Sequence, residues 1–290
     1  MKIAESELII NADGSAFHIH LKPEELGDYV VLFGDPGRVD MASKYLSDIE
    51  FRHESREFVS ITGRVNGKRL TLLSTGIGPD NIDIVMNELD ALANIDFNTR
   101  EMKAEHKRLQ ILRIGTCGAI QPDIPLGSFI LSHISIGNDG LLDWYAGRDE
   151  VCMLDFEKAY MKHVGWDSRI GAPYFVKASD TLIKKLEPVT VKGMTIAAPG
   201  FYGPQGRILR LPIAMPDMLE KFESFEYGGW RITNFEMEGA ALAGMAKMLG
   251  HDAATVCCAI ANRYLKDANT DYKPRVEELI KLALDRLTRD

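Results

Sequence analysis

The sequence predicts an α/β protein built on a largely parallel sheet flanked by helices, and three observations carry that reading. Short β-rich apolar runs recur along the chain and are closed by glycine or proline, as in "YVVLFG" (29–34) and "LQILRIGTCGAI" (109–120). Segments with helical spacing alternate with them, as in "NIDIVMNELDALA", where Ile82, Val85, Met86, Leu89 and Ala93 share one face. Asn66-Gly67 sits between two strand-like runs in residues 57–76, a strong hairpin signal that makes part of the sheet antiparallel.

Taken in order, the strand of 29–34 stops at "GDPGR", and a helix is expected over 38–47. The 57–76 hairpin and the 82–93 helix follow, the latter entered through a glycine turn with Asp80 as its N-cap. The charged stretch "NTREMKAEHKRLQ" (98–110) reads as a solvated helix extension or surface insertion. Further strands are expected at "GSFILSHISIG", "YFVKA", "GMTIAAPG" and "AATVCCAIANR", with helices near 180–187, 237–249 and 274–288. No internal repeat and no Pro/Ser linker divides the chain, so one domain over 1–290 is expected.

The bulk numbers exclude several functions. A formal net charge of −8 with no long basic run argues against nucleic-acid binding. No apolar stretch reaches the roughly 18 residues of a membrane span, and "MKIAESELII" lacks the marks of a secretion signal, so a cytoplasmic location is expected. Cys117, Cys152, Cys257 and Cys258 show no ligand spacing and read as small core residues, the adjacent pair pointing to opposite faces of a strand. His18 and His20 alternate as in a strand without a third ligand at useful spacing, so no metal centre is expected.

Ligands of open α/β sheets bind beyond the carboxyl ends of strands. Three segments fit that place: "FGDPGR" (33–38), "RIGTCG" (113–118) and "IANR" (260–263). Gly34 permits close backbone approach, and Arg38 opens a helix beside free amides, an arrangement suited to an anion or to a salt-bridged turn. Arg113 lies within an apolar strand, where a guanidinium must meet a carboxylate or an anionic ligand, and Thr116 ends that strand. Arg56 opens the strand "REFVS" beside Glu57. "TGIGPDN" lacks the third glycine of a dinucleotide loop. In "NFEMEGAAL", Glu236 and Glu238 flank Met237 at the head of an Ala-rich helix, suited to helix capping or to the vicinal hydroxyls of a sugar. "GFYGPQGRIL" (200–209) sets Gln205 and Arg207 on a Gly/Pro-shaped loop with Phe201 and Tyr202, either a polar surface turn or a reader of a flat ring with an amide edge.

Eight segments in order, F-H-x-x-L, G-D-P-x-R, R-E-F, S-T-G-I-G, R-I-G-T, F-Y-x-x-Q-x-R, E-M-E and N-R, span Phe17 to Arg263. In that order they resemble the nucleoside phosphorylase family, on its uridine-cleaving side. The resemblance implies one domain with a central mixed, partly barrel-like sheet, and reversible phosphorolysis of uridine in pyrimidine salvage, with deoxyuridine and thymidine as the alternative substrates. It implies inorganic phosphate as co-substrate, with Gly34, Arg38, Arg56, Arg113 and Thr116 at the phosphate. It implies ribose on His18, Glu236, Met237 and Glu238, and the base among Phe17, Phe201, Gln205, Arg207, Phe235, Ile260, Ala261 and Arg263. Arg38, Arg113 and Arg207 are the implied catalytic cations, and Arg56 and His18 the residues lent to a neighbouring subunit of a homodimer or trimer of dimers.

The chain departs from the family pattern in places. Asn81 replaces a serine at which some relatives hold a monovalent cation between subunits, which puts that cation in question although Glu57 is retained. Phe235 stands where a tyrosine is frequent, and "GPQGR" reverses the usual order of Gly and Pro. A purine-cleaving relative calls for an acid near the late strand, where this chain has Asn262. A hydrolase would leave the three arginines without a task, and a silent nucleoside-binding protein would share the same residues.

Overall fold

The computed structural model describes residues 2–289. Its strands in chain order are β1 (Tyr29–Phe33), β2 (Ser47–Ser55), β3 (Phe58–Val65), β4 (Lys68–Ser74), β5 (Ile95–Asp96), β6 (Glu101–Met102), β7 (Gln110–Ala119), β8 (Phe129–Gly137), β9 (Tyr174–Lys177), β10 (Val191–Ala197), β11 (Glu226–Tyr227), β12 (Trp230–Glu236), β13 (Asp252–Asn262) and β14 (Asp267–Ala268). The helices are α1 (Pro36–Ser43), α2 (Pro79–Asn94), α3 (Arg148–Val151), α4 (Leu154–Val164), α5 (Asp180–Leu186), α6 (Met218–Glu223), α7 (Gly239–Met248) and α8 (Lys273–Thr288).

The main sheet has 12 strands, and its path runs β11-β12-β10-β8-β13-β7-β1-β4-β3-β2. A further pairing of β12 with β7, Asn234 opposite Ala119 and Phe235 opposite Gly118, closes β7, β12, β10, β8 and β13 into a mixed five-strand barrel. Strands β1, β4, β3 and β2 extend from β7 as an open wing, parallel at β1 and β4 and antiparallel through the hairpin around Asn66-Gly67, while β9, β11 and β14 pair onto β8, β12 and β13.

Alternation builds the layers. Along β1, Val30 and Leu32 pack with α2 and α7, whereas Val31 and Phe33 pack with α1, α5 and α8. A third cluster sets Phe156 and Tyr160 of α4 and Phe222 of α6 against the β8, β10 and β12 side of the barrel. Cys257 lies with Cys117, Ile130 and Ala259, while Cys258 joins the layer under α8, so the adjacent cysteines do face opposite ways, and all four are free thiols.

Several boundaries differ from the sequence reading. Helix α1 ends at Ser43, and the chain then enters β2, an edge strand whose mostly exposed, charged residues conceal its periodicity. The N-cap of α2 is Gly78, with Asp80 inside the first turn; the φ of +107° at Gly78 is one that only glycine adopts readily. Of the two alternatives for 98–110 the surface insertion holds: the stretch leaves α2, pairs β6 back onto β5 and rejoins the sheet at β7, with no helix extension. Glu236 ends β12 and does not belong to the following helix, for which Glu238 is the N-cap. Among the described residues no helix is long and apolar enough to cross a membrane.

Candidate active site

Beyond the carboxyl ends of β1, β7, β12 and β13 lies a cavity of about 290 Å³. Its walls bring together Gly34, Arg38, Arg113, Thr116, Phe201, Gln205, Arg207, Phe235, Glu236, Met237, Glu238, Ile260 and Ala261. Asp35, Ile77, Cys117 and Gly118 also line it and were not singled out from the sequence. Asp35, Cys117 and Gly118 fall within the strand-end segments 33–38 and 113–118; Ile77 has no sequence signal beyond its place in a glycine turn.

One end of the cavity is cationic. Asp35 caps α1 by accepting from the Gly37 amide at 2.9 Å, and Pro36 occupies the first turn, so Arg38 projects from a fixed helix start. Among the described residues the Arg38 side chain has no carboxylate partner, and that leaves its donors available to an anion. Arg113 differs. Its Nη1 lies 3.1 Å from Glu236, its Nη2 bonds Glu238, and its Nε has no partner. The carboxylate pairing and the ligand-facing position foreseen for Arg113 are therefore both present. A side chain at Gly115 would come within 2.5 Å of Arg113 Nη1, so glycine there is what lets the guanidinium lie flat along β7.

The acids are held as firmly. Glu236 accepts from the amides of Glu238 and Gly239 at 2.9 Å, closing the first turn of α7, and Glu238 accepts from the Gly78 amide at 2.8 Å. Capping and ligand-lining thus coexist in the same carboxylates. Two acids share one guanidinium in a site closed to water. Burial, with the Glu238 charge behind it, outweighs the opposing pull of Arg113 and the two amides, and the Glu236 carboxyl is raised to about 7. A carboxyl raised in the folded state contributes stability that is complete below its unfolded value of 4.5 and is lost as pH rises through about 7. Thermal midpoints of the wild type and Glu236→Gln, measured from pH 4.5 to 8, are therefore expected to show a wild-type decline that the variant lacks. Parallel pH profiles would contradict this account.

The third group is the loop after β10. Gly206 turns the chain so that Arg207 Nη1 donates to Phe201 O at 2.6 Å and to Gln205 Oε1 at 2.7 Å, with its Cζ 3.8 Å over the Phe201 ring. Arg263 Nη1 donates to Gln205 O at 2.9 Å and so braces the loop from behind, outside the cavity lining. Burial, then the nearby Arg263 charge, lowers Arg207 to about 10. A larger, mainly apolar cavity of about 650 Å³ lies across Arg207, walled by Tyr202, Leu209, Leu211 and Phe222. Size does not select between them: the anion-binding and hydroxyl-binding groups converge on the smaller one.

Phe17, His18 and Arg56 lie elsewhere. Phe17 meets His18 edge-on at 4.7 Å, and Arg56 Cζ sits 5.9 Å from the Phe17 ring, on the turn between β2 and β3. None of the three lines the cavity of its own chain.

The fold also gathers Asp90, His106 and His251, whose ligand atoms lie within 4.8 Å of one another, a juxtaposition the spacing did not reveal. Leu109 N–H donates to His251 Nδ1 at 3.2 Å, so the ring proton sits on Nε2, 3.2 Å from Asp90 Oδ1. A ligating histidine needs a lone pair where this ring carries a hydrogen, so the donor set does not fit a metal.

A strand-end cavity that gathers two guanidiniums, two buried carboxylates and the Gln205–Arg207 pair defines a candidate small-molecule site of the α/β class. The chain belongs to the phosphorylase superfamily, whose family model matches residues 28–289. It is 28% identical over 268 residues to uridine phosphorylase of Thermococcus kodakarensis, covering 90% of this chain and 83% of that one. It is 27% identical over 273 residues to a DeoD-type purine nucleoside phosphorylase of Bacillus velezensis, covering 92% and 97%. Its fold matches a Trypanosoma brucei nucleoside phosphorylase, described as having uridine phosphorylase activity, with a TM-score of 0.88, 28% identity and coverage of 97% and 99%.

Proposed function

We propose that this protein is a uridine phosphorylase, a pentosyltransferase that reversibly cleaves uridine with inorganic phosphate to uracil and ribose 1-phosphate. One observation carries the reading: a cation without a carboxylate partner (Arg38), an acid pair (Glu236 and Glu238) and a wired amide-and-guanidinium pair (Gln205 and Arg207) line a single cavity. Its likeness to the Thermococcus and trypanosome proteins supports the same substrate.

In this mechanism Arg38, Arg113, Thr116 and the backbone at Gly34 hold phosphate beneath C1′, and Glu236 and Glu238 accept from the vicinal hydroxyls, with Met237 packed on the sugar. The C1′–N1 bond breaks with its electron pair moving to uracil, a phosphate oxygen bonds the oxocarbenium-like C1′, and the uracil anion takes up a proton. Gln205 donates to a uracil carbonyl and accepts from N3–H through its remaining lone pair, while Arg207 stabilises the charge that grows on the departing ring. Phe201, Phe235, Ile260 and Ala261 wall the base, and positioning supplies much of the acceleration.

A purine substrate is the second reading, favoured by the Bacillus relative. Against it, Asn262 is buried with both amide hydrogens donated, to Gln121 O and Ile124 O, so it has no donor left for a purine N7.

The shared-site assembly is part of the proposal. Gly78, beside the cavity, and Glu88, beside His18, stand about 15 Å apart along α2. That separation from the cavity of their own chain supports the reading that His18, Arg56 and Phe17 serve a second copy, in a homodimer or trimer of dimers. An interface cation is not needed in this reading, because Asn81 donates to Glu57 Oε1 at 3.2 Å where a cation would otherwise meet that carboxylate. We place the enzyme in cytoplasmic pyrimidine salvage.

The test is base release from uridine, thymidine, inosine and adenosine, followed chromatographically with and without phosphate, in potassium, sodium and choline buffers. Uracil release that requires phosphate and ignores the cation is expected. Hypoxanthine or adenine release would favour the purine reading, and cleavage without phosphate a hydrolase.

A further inference from the structure

Glu88 is a buried-side carboxylate that the mechanism above does not use. It sits on the mid-part of α2 with its side chain 12% exposed, and it accepts four contacts from one short segment. The His18 amide reaches both of its oxygens at 3.0 Å, the Ile19 amide reaches Oε2 at 2.9 Å, and His18 Nδ1 lies 2.5 Å from Oε1. Two backbone donors identify the carboxylate as an ionised acceptor, so the ring nitrogen facing it carries hydrogen. The other nitrogen, Nε2, is then the one free to meet a ligand, on a side chain that remains 25% exposed. Phe17 and Phe58 flank the ring edge-on and limit its rotation.

We propose that Glu88 is a positioning residue for nucleoside recognition: it clamps the His18 loop onto α2 and fixes the Nδ1–H form, presenting Nε2 to a sugar hydroxyl of the nucleoside. This rests on the reading that His18 serves the ribose. It goes beyond that reading by assigning the group that makes His18 competent. Because α2 is capped at Gly78, whose amide holds Glu238, one helix ties the acid of its own cavity to the histidine lent to a second copy.

Two measurements test it separately. Nitrogen-15 NMR of the His18 ring in the intact protein is expected to report Nδ1–H in the wild type and a mixture of forms in Glu88→Gln. An Nε2–H ring in the wild type would overturn the assignment whatever the enzyme's activity. Steady-state kinetics then compares wild type, E88Q, H18A and the double variant on uridine and on its 2′-, 3′- and 5′-deoxy analogues. E88Q is expected to lose roughly tenfold in kcat/KM on uridine, the scale of one charge-assisted hydrogen bond. That loss should vanish in the H18A background and on the one analogue lacking the hydroxyl that His18 meets. An equal loss with and without His18, or on every analogue, would mean that Glu88 only supports the fold and would overturn the proposal. A wild type that cleaves no uridine would instead sink the proposed activity, and the tautomer measurement would still decide the role of Glu88.

Discussion

Arg38→Ala is expected to lower kcat/KM for phosphate-dependent uracil release by about 10²–10³-fold, the cost of removing one preorganised charge contact from a site of this kind. Its thermal midpoint should stay within about a degree or two of the wild type, since a side chain without a carboxylate partner supports no packed neighbour by its charge. The loss should appear mainly in the dependence on phosphate concentration, because Arg38 stands at the α1 start, away from the base loop. Initial rates across a phosphate series check this. A variant that saturates with phosphate as the wild type does would remove Arg38 from the anion site and, with it, the strongest support for phosphorolysis.

Arg113→Ala should fail differently. It leaves Glu236 and Glu238 buried without their shared cation, and breaking such a cluster costs about 3–5 kcal/mol of folding stability. Urea denaturation is expected to show that loss together with near-complete inactivation. Adding Glu238→Gln to Arg113→Ala should recover part of the stability and none of the activity, since it relieves the stranded charge without restoring the anion contact. If Arg113→Ala were as stable as the wild type, the buried triad would not be the electrostatic unit described. The two arginines thus separate a residue that binds from a residue that binds and also holds the site together.

Much of this was legible in the chain because glycine, proline and charge interrupt apolar runs where strands end. Arg113 declared itself by lying among Ile111, Leu112 and Ile114, and the Gln205–Arg207 spacing declared a shaped loop. What stayed hidden was hidden for physical reasons. Strand β12 ends in "TNFE", whose polar members Thr233 and Asn234 are buried by hydrogen bonds inside the barrel, so no apolar alternation marks the strand that ends at Glu236. Strand β2 is a charged edge with little to bury. The Asp90, His106 and His251 cluster joins three segments distant in sequence, and no local spacing announces it. The Glu88 clamp likewise joins two elements that have no shared motif.

In the proposed reading the polar groups that meet the ring, Gln205 and Arg207, sit on one loop braced by Arg263, whereas the groups assigned to the anion and the sugar follow β1, β7 and β12. Such a division of labour would let the polar edge of the ring site be retuned on one short peptide while the strands that carry Arg113, Glu236 and Glu238 stay untouched.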